Sequence, residues 1–456
     1  MNTDLRADGG SWSRHLGETL RLGVPLIGAQ IAQLAINTTD VLIVGHLGTD
    51  DLAAIVLASQ FFFTIFILGT GFSTAAIPMA AHALAQGDNR NVRRAIRMGL
   101  WASIIYSIVA LPVFLFSHDI LILLGQEPVV AAKAAIYLQI MGFAMLPAQL
   151  FMGLRSFFST MHRAGVILAI TILVLLLNAV FAYIFVLGHF GMPAFGLRGA
   201  ASVALGVNAF SFVAAAWYIQ RDEKLRSFEI FARFWRADWH TFLDVIKIGV
   251  PIGLMVLAEV SLFTVSSLMM GWIGTVQLAA HGIAMQFASM AFMVPLGLSQ
   301  AATVRVGLAA GRRNQVEIFR AGLSAILLAC CFAVLGGLLF VLKRESLAAL
   351  FIDRDSTNAA ELLATAGPFI AVAGAFQLFD GLQAVGAGLA RGLKDSTVPM
   401  ILAMISYWGI GFTGAYILAF PLGFGGIGIW YGFLTGLAAA AVTLNARFFL
   451  LMKRAS

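Results

Sequence analysis

The apolar residues of this chain gather into twelve windows of roughly 20 residues or more, each long enough to cross about 30 Å of hydrocarbon at 1.5 Å per residue. The windows fall near 17-44, 52-77, 94-116, 132-157, 165-188, 197-219, 243-270, 279-304, 320-342, 361-388, 398-419 and 426-450. Only 11% of the residues are charged and 60% are hydrophobic, against about 25% charged in ordinary soluble domains. An all-α membrane protein of twelve transmembrane helices is therefore expected. The first 20 residues carry Asp4, Arg6, Asp8, Arg14 and Glu18, which is not the short apolar run of a cleavable signal peptide.

A net charge of +7 raises the question of nucleic acid, and the positions of the charges answer it. With both termini placed in the cytoplasm, all but five of the 29 Lys and Arg lie on that side, the exceptions being Lys133, Arg198, Lys343, Arg344 and Arg354. Positive charge is retained on the cytoplasmic face, and two termini on one side require an even number of helices. The basic balance thus predicts topology, with no nucleic-acid partner. Cys330 and Cys331 are adjacent in an apolar span, where neither a disulfide nor a metal site has plausible geometry.

The chain also repeats itself. Leu22-Gly23-Val24-Pro25 aligns with Ile248-Gly249-Val250-Pro251 at an offset of 226, and the register holds through Gly48/Gly274, Gly71/Gly297 and Ser73/Ser299. With a small drift it continues through Gln149/Gln377 and Gly153/Gly381 to Gly199/Gly428. Two copies of six helices share one orientation, a parallel repeat of the kind that supports alternating access. The predicted organisation is a tail over 1-16, a six-helix bundle over 17-220, a linker over 221-242, a second bundle over 243-450 and a tail over 451-456, with the bundles around a central cavity. Phe228, Phe231, Phe234, Trp235 and Trp239 place the linker at the cytoplasmic interface.

Charge inside a bilayer is costly and marks function by default. Three acids qualify: Asp40 in the first helix, Glu259 in the seventh and Asp380 in the tenth. Gln30, Gln33, Asn37 and Asp40 recur at helical steps, so one face of the first helix is polar. Gln377, Asp380 and Gln383 repeat the pattern in the tenth. Two acids in the second copy, Glu259 and Asp380, suit a shared proton or a bound monovalent cation. Two readings of Asp40 stand here: a coupling group, or a hydrogen-bonding link through Asn37 or Asn178. Arg155, near a cytoplasmic helix end, reads as a snorkelling side chain. His82, His162 and His281 read as interfacial, and Phe263, one turn from Glu259, as a stacking surface for a lipophilic cation.

Several stretches resemble the multidrug and toxic compound extrusion (MATE) family: Leu22-Gly23-Val24-Pro25, Asp40 through Gly48, Ala83-Leu84-Ala85-Gln86-Gly87, Gly196-Leu197-Arg198-Gly199-Ala200 and Ala390 through Asp395. The resemblance covers residues 17 to 450, and Glu259 with Asp380 looks like the NorM branch. It implies that Glu259 and Asp380 hold the coupling Na⁺ or H⁺ and meet cationic drugs, that Asp40 is the acid of the N-terminal lobe, and that Asn178 lies near it. Gln33, Asn37, Gln286 and Gln377 are expected to contribute to substrate binding. Where NorM-like sequences often carry a second Asn one turn beyond Asn178, this chain has Ala182, which leaves an N-lobe cation site poorer in oxygens.

The implied function is secondary active export of lipophilic cations against Na⁺ or H⁺, from the inner membrane of a bacterial cell. A monomer is expected, with no cofactor beyond the coupling ion and only lipids and small cationic substrates as partners. A flippase for lipid or lipid-linked oligosaccharide is the alternative within transport, although such proteins need rows of Arg and Lys for phosphates and the deep charges here are acidic. An intramembrane aspartyl protease would need Gly-x-Gly-Asp, which precedes neither Asp40 nor Asp380. HExxH, Walker A and Gly-x-Ser-Gly patterns are missing as well, so an enzyme is not expected.

Overall fold

The computed structural model describes residues 11–352 and 359–454. Arg6, Arg354 and parts of both predicted tails lie outside them. Among the described residues twelve helices are long and apolar enough to span a membrane. They are α1 (Trp12–Gly45), α2 (Thr49–Ala85), α3 (Asn89–Leu115), α4 (Pro128–Thr160), α5 (Ala164–Leu187), α6 (Gly196–Arg221), α7 (Trp239–Ile273), α8 (Thr275–Gly311), α9 (Gln315–Leu342), α10 (Ala359–Gly392), α11 (Thr397–Ala419) and α12 (Gly426–Arg454). Most run beyond the apolar windows, because polar end residues such as Asp50, Asp51 and His82 continue the helix past the hydrocarbon.

The duplication is visible in the local devices that start and stop these helices. Thr49–Ala85 and Thr275–Gly311 are related by the sequence offset at both ends. The α1–α2 and α7–α8 corners each turn on a glycine at positive φ, Gly48 at +137° and Gly274 at +157°, a region that side chains disfavour. Asp88 caps α3 by accepting from Asn91 N at 2.9 Å, and its counterpart Asn314 caps α9 by accepting from Glu317 N at 3.1 Å. Pro25 and Pro251 sit at matching places inside α1 and α7.

By packing, the chain divides into two compact units. The N unit is Gly28–Ala83 with Gly87–Val260; the C unit takes in the chain up to Ile27, Leu84–Gln86 and everything from Ser261 onward. The divisions fall inside α1 and α7 and not in the linker. Duplicated glycines explain this. In the N unit, a Cβ on Gly71 of α2 would lie against the Gly249 carbonyl oxygen and 2.7 Å from Gly253 N, so the opening half of α7 packs backbone to backbone on α2. In the C unit, a Cβ on Gly297 of α8 would lie 2.8 Å from Ile27 N, so the opening half of α1 does the same on α8. Close helix approach through small residues is the usual membrane solution, since lipid provides no hydrophobic drive between helices.

The linker is docked on the N unit. Arg97 of α3 is buried and its guanidinium donates to the carbonyls of Glu229, Ile230, Ala232 and Arg233. Phe228 packs edge-on against Phe157, and Trp101 Nε1 donates to Phe234 O at 3.0 Å. Trp235 and Trp239 remain exposed.

Candidate functional site

In the C unit the site is built on α10. Two helices clamp its backbone: Ser299 and Thr303 of α8 donate to Ala384 O at 2.6 Å and to Gly388 O at 2.9 Å, and Asn445 of α12 donates to Leu382 O at 3.0 Å. Arg391 extends the clamp, donating to Ser299 Oγ at 3.0 Å, and Asp395 pairs with Arg447 at 2.7 Å. On the helix so fixed, Asp380 is only 4% exposed. Gln383 Nε2 donates to its Oδ1 at 3.2 Å, and Tyr407 of α11 donates its hydroxyl to Gln383 Oε1 at 2.6 Å. The partner that donates to its carboxylate is thus a neutral amide. A buried carboxyl held by neutral groups retains the option of binding a proton or a small cation, which a fixed counter-ion would remove.

Around it, Gln377 is buried with its amide over Gly336 of α9, where a Cβ would come within 3.0 Å of Nε2. Phe263 faces Phe376 at 6.0 Å and Phe433 at 5.9 Å between ring centroids, and Phe376 meets Trp430 at 5.5 Å. The ring expected to receive a cation is thus part of an aromatic cluster. Gln286 is exposed on α8.

In the N unit Asn178 of α5 is fully buried and its Nδ2 donates to Asp40 Oδ1 at 2.6 Å. The Asn178 oxygen has no hydrogen-bond partner among the described residues, so it and the carboxylate offer oxygens at one place, with Ala182 adding none. Gln33 and Asn37 are exposed on α1, whereas Gln30, on the same helix, is buried. Glu259 is part-exposed and belongs by packing to the N unit, close to its boundary, because the opening half of α7 is seated on α2. The two acids of the second sequence copy are therefore carried by different packing units. Among the described residues no three His, Cys, Asp or Glu come together as a metal cluster.

Two expectations are corrected. Arg155 does not snorkel: it is 4% exposed and donates to Gln30 Oε1 at 2.8 Å, because the polar face of α1 turns inward one turn before Gln33. Nor is His281 interfacial; it is 1% exposed and packs edge-on against Trp430 at 5.5 Å. The residue that the sequence reading missed is Tyr407. Its signal was a tyrosine within an apolar span, where a buried hydroxyl requires a partner.

The MatE family profile matches residues 25–184 and 251–417, two blocks whose starts, Pro25 and Pro251, are duplicate positions. A probable multidrug resistance protein NorM of Rhizobium meliloti (strain 1021) is 55% identical over 446 residues, 98% of this chain and 96% of the relative. The multidrug resistance protein NorM of Burkholderia vietnamiensis is 35% identical over 96% of this chain and 95% of its own. Among solved structures, the eukaryotic MATE transporter AtDTX14 superposes with a TM-score of 0.85 at 19% identity, over 98% of this chain and 100% of its own. An outward-facing multidrug resistance MATE transporter of the MOP superfamily gives 0.87 at 19% identity over 97% of each chain. Both show a shared fold. Family match and full-length relatives together establish that this chain is a multi-pass membrane transporter, not an enzyme, and belongs to the MatE family.

Proposed function

We propose that the protein is a multidrug exporter of the bacterial inner membrane, with both termini cytoplasmic, that moves lipophilic cations outward in exchange for Na⁺ or H⁺ by alternating access. Asp380 and Glu259 carry the coupling ion and meet the drug; Asp40, with Asn178, forms a separate group in the N unit. The observation that carries this reading is Asp380 itself, buried on a clamped helix and hydrogen-bonded to a neutral amide. Titration or cation binding at such a group responds to the membrane potential, at about 2.3 kcal/mol per charge per 100 mV. The names of the relatives support multidrug export. The buried basic group Arg155 is engaged by Gln30, and this favours cationic cargo over the phosphates of a flippase.

Proteoliposomes loaded with ethidium test the proposal under separately imposed Na⁺ and H⁺ gradients. Efflux driven by one of the two gradients supports it. Efflux that responds to neither, with protein correctly inserted, refutes it.

A further inference from the structure

The linker between α6 and α7 is folded into successive tight turns. Glu229 N donates to Arg226 O at 2.9 Å, Ala232 N to Glu229 O at 3.1 Å and Arg236 N to Arg233 O at 3.1 Å. Glu229 and Arg233 sit at φ of +49° and +51°, a left-handed conformation that residues with side chains disfavour, and the Arg97 guanidinium holds the carbonyls of both. Charge is sorted on this framework. Of the linker acids, Asp222 pairs with Arg163 at 2.9 Å, Glu229 with Arg93 at 2.6 Å and Asp238 with Arg94 at 3.2 Å. Arginines of the bundle thus offset three acids, and the fourth, Glu223, is exposed. The linker's own Lys224, Arg226, Arg233 and Arg236 are exposed as well. Exposed indoles accompany them: Trp217 near the end of α6, with the Arg221 guanidinium 5.3 Å from its ring centroid, Trp235 at 75% exposure, and Trp239 at the start of α7.

We propose that the linker is a docking surface for anionic phospholipid headgroups, in which Arg226, Arg233 and Arg236 take the lipid phosphates while Trp235 and Trp239 enter the headgroup layer. Position comes first. The linker joins the ends of two membrane-spanning helices, so the thickness of the bilayer sets it at the boundary with water. That layer is where an indole, apolar in body and polar at its N–H, is best accommodated. Charge then selects the lipid. An arginine near an anionic bilayer surface gains about fivefold in binding, whereas the ammonium of a zwitterionic headgroup offsets its phosphate and removes most of that gain. With three linker acids offset by the bundle, the exposed arginines meet the surface with little opposing charge. A free phosphate would supply the charge but no layer for the indoles, so the pairing of both favours a lipid. Because the turns are already held by Arg97, docking needs little further ordering of the chain. The inference is independent of Asp380 and of the coupling ion.

The test is quenching of Trp235 fluorescence in nanodiscs of the full chain, with the Trp235 signal taken as the difference between wild type and Trp235→Phe. Dibrominated phosphatidylglycerol is titrated into phosphatidylcholine, and dibrominated phosphatidylcholine serves as the uncharged comparison. Half-quenching is expected at an about fivefold lower mole fraction of the brominated anionic lipid, the weight of one cation at the surface. In the triple variant Arg226→Gln, Arg233→Gln, Arg236→Gln the two titrations should coincide, and with lysine at the same three positions the gap should return. Arg313→Gln, exposed at the far end of α8, should leave the gap unchanged. Equal quenching by the two lipids in the wild type overturns the proposal, and that comparison stands even where a variant fails to fold. So does a gap that survives the triple glutamine variant, since the arginines would then not select the lipid. A Trp235 that neither lipid quenches overturns it too, because the linker would stand clear of the headgroup layer.

Discussion

Gly71→Ala is the sharpest probe of how the units are built. The added methyl would meet the Gly249 carbonyl oxygen and lie 2.7 Å from Gly253 N, both backbone atoms with no rotamer to yield. Ordinary contacts of a methyl carbon begin near 3.5 Å, so α2 and the opening half of α7 must separate by close to an ångström along several turns. Overpacking of this kind costs about 1–3 kcal/mol. Replacing glycine by alanine in a helix returns about 1 kcal/mol of intrinsic propensity, and the immovable neighbours place the clash at the upper end of its range. A net loss of about 2 kcal/mol is expected. The duplicate Gly297→Ala, 2.8 Å from Ile27 N, should behave alike, whereas Gly206→Ala, with nothing within 4 Å, should be neutral or slightly stabilising. Thermal melting of the purified proteins, followed by size-exclusion of the monodisperse fraction, measures all three. If Gly71→Ala and Gly297→Ala melt at or above the wild-type temperature, the close crossings do not hold the units together.

Other consequences follow from the same contacts. Asp40→Asn should reduce drug efflux by several-fold yet leave cation binding in the C unit intact, checked by ion-binding calorimetry alongside transport; loss of that binding would join the two sites. Arg97→Met removes the donor shared by the linker carbonyls and should speed cleavage by trypsin at Arg233 in inside-out vesicles relative to wild type; an unchanged rate would show that Arg97 does not hold the linker. At Asp238 burial raises the carboxyl's proton affinity, but the Thr241 N–H, the Thr241 side chain and nearby Arg94 outweigh it and hold the group below the ordinary carboxylate range. A lowered folded value means that its contribution is present above the usual carboxyl range and is lost as the pH falls through the lowered value. Linker proteolysis should therefore increase only below about pH 4. Reporter fusions at the C-terminus and at Arg236 should both report the cytoplasm, as the distribution of basic residues requires.

Helix number and duplication were legible in the sequence because both are written in long-range patterns: apolar windows set by bilayer thickness, and glycines repeated at one offset. The corner glycines Gly48 and Gly274 and the caps Asp88 and Asn314 obey that offset, as local geometry requires. Partners of buried polar groups were less legible. The step of three or four residues placed Gln30, Gln33 and Asp40 on one face, yet Gln30 meets Arg155 while Gln33 stays exposed, a difference set by α4 and invisible in α1 alone. The residues offered Asp40 a hydrogen-bonding link through either Asn37 or Asn178, and the resemblance also put Asn178 near it; the 2.6 Å hydrogen bond is to Asn178. Glu259 shows the limit most clearly. Sequence copy assigns it with Asp380, whereas packing through Gly71, Gly249 and Gly253 draws the opening half of α7 into the N unit. Tyr407 was missed because a π-helical segment does not obey the period used to read α-helices.

The central claim is that the two intramembrane acids of the second sequence copy couple ion to drug, and the most direct measurement is counter-flow of the two in proteoliposomes carrying Glu259→Gln or Asp380→Asn. Each amide preserves size and hydrogen bonding but removes the titratable charge, so insertion and melting should match wild type. Gradient-driven ethidium efflux and drug-induced release of the coupling ion should both be lost. Exchange at the wild-type ratio in Asp380→Asn would contradict the account, because the carboxyl on α10 would then be a structural group and the coupling ion would bind elsewhere.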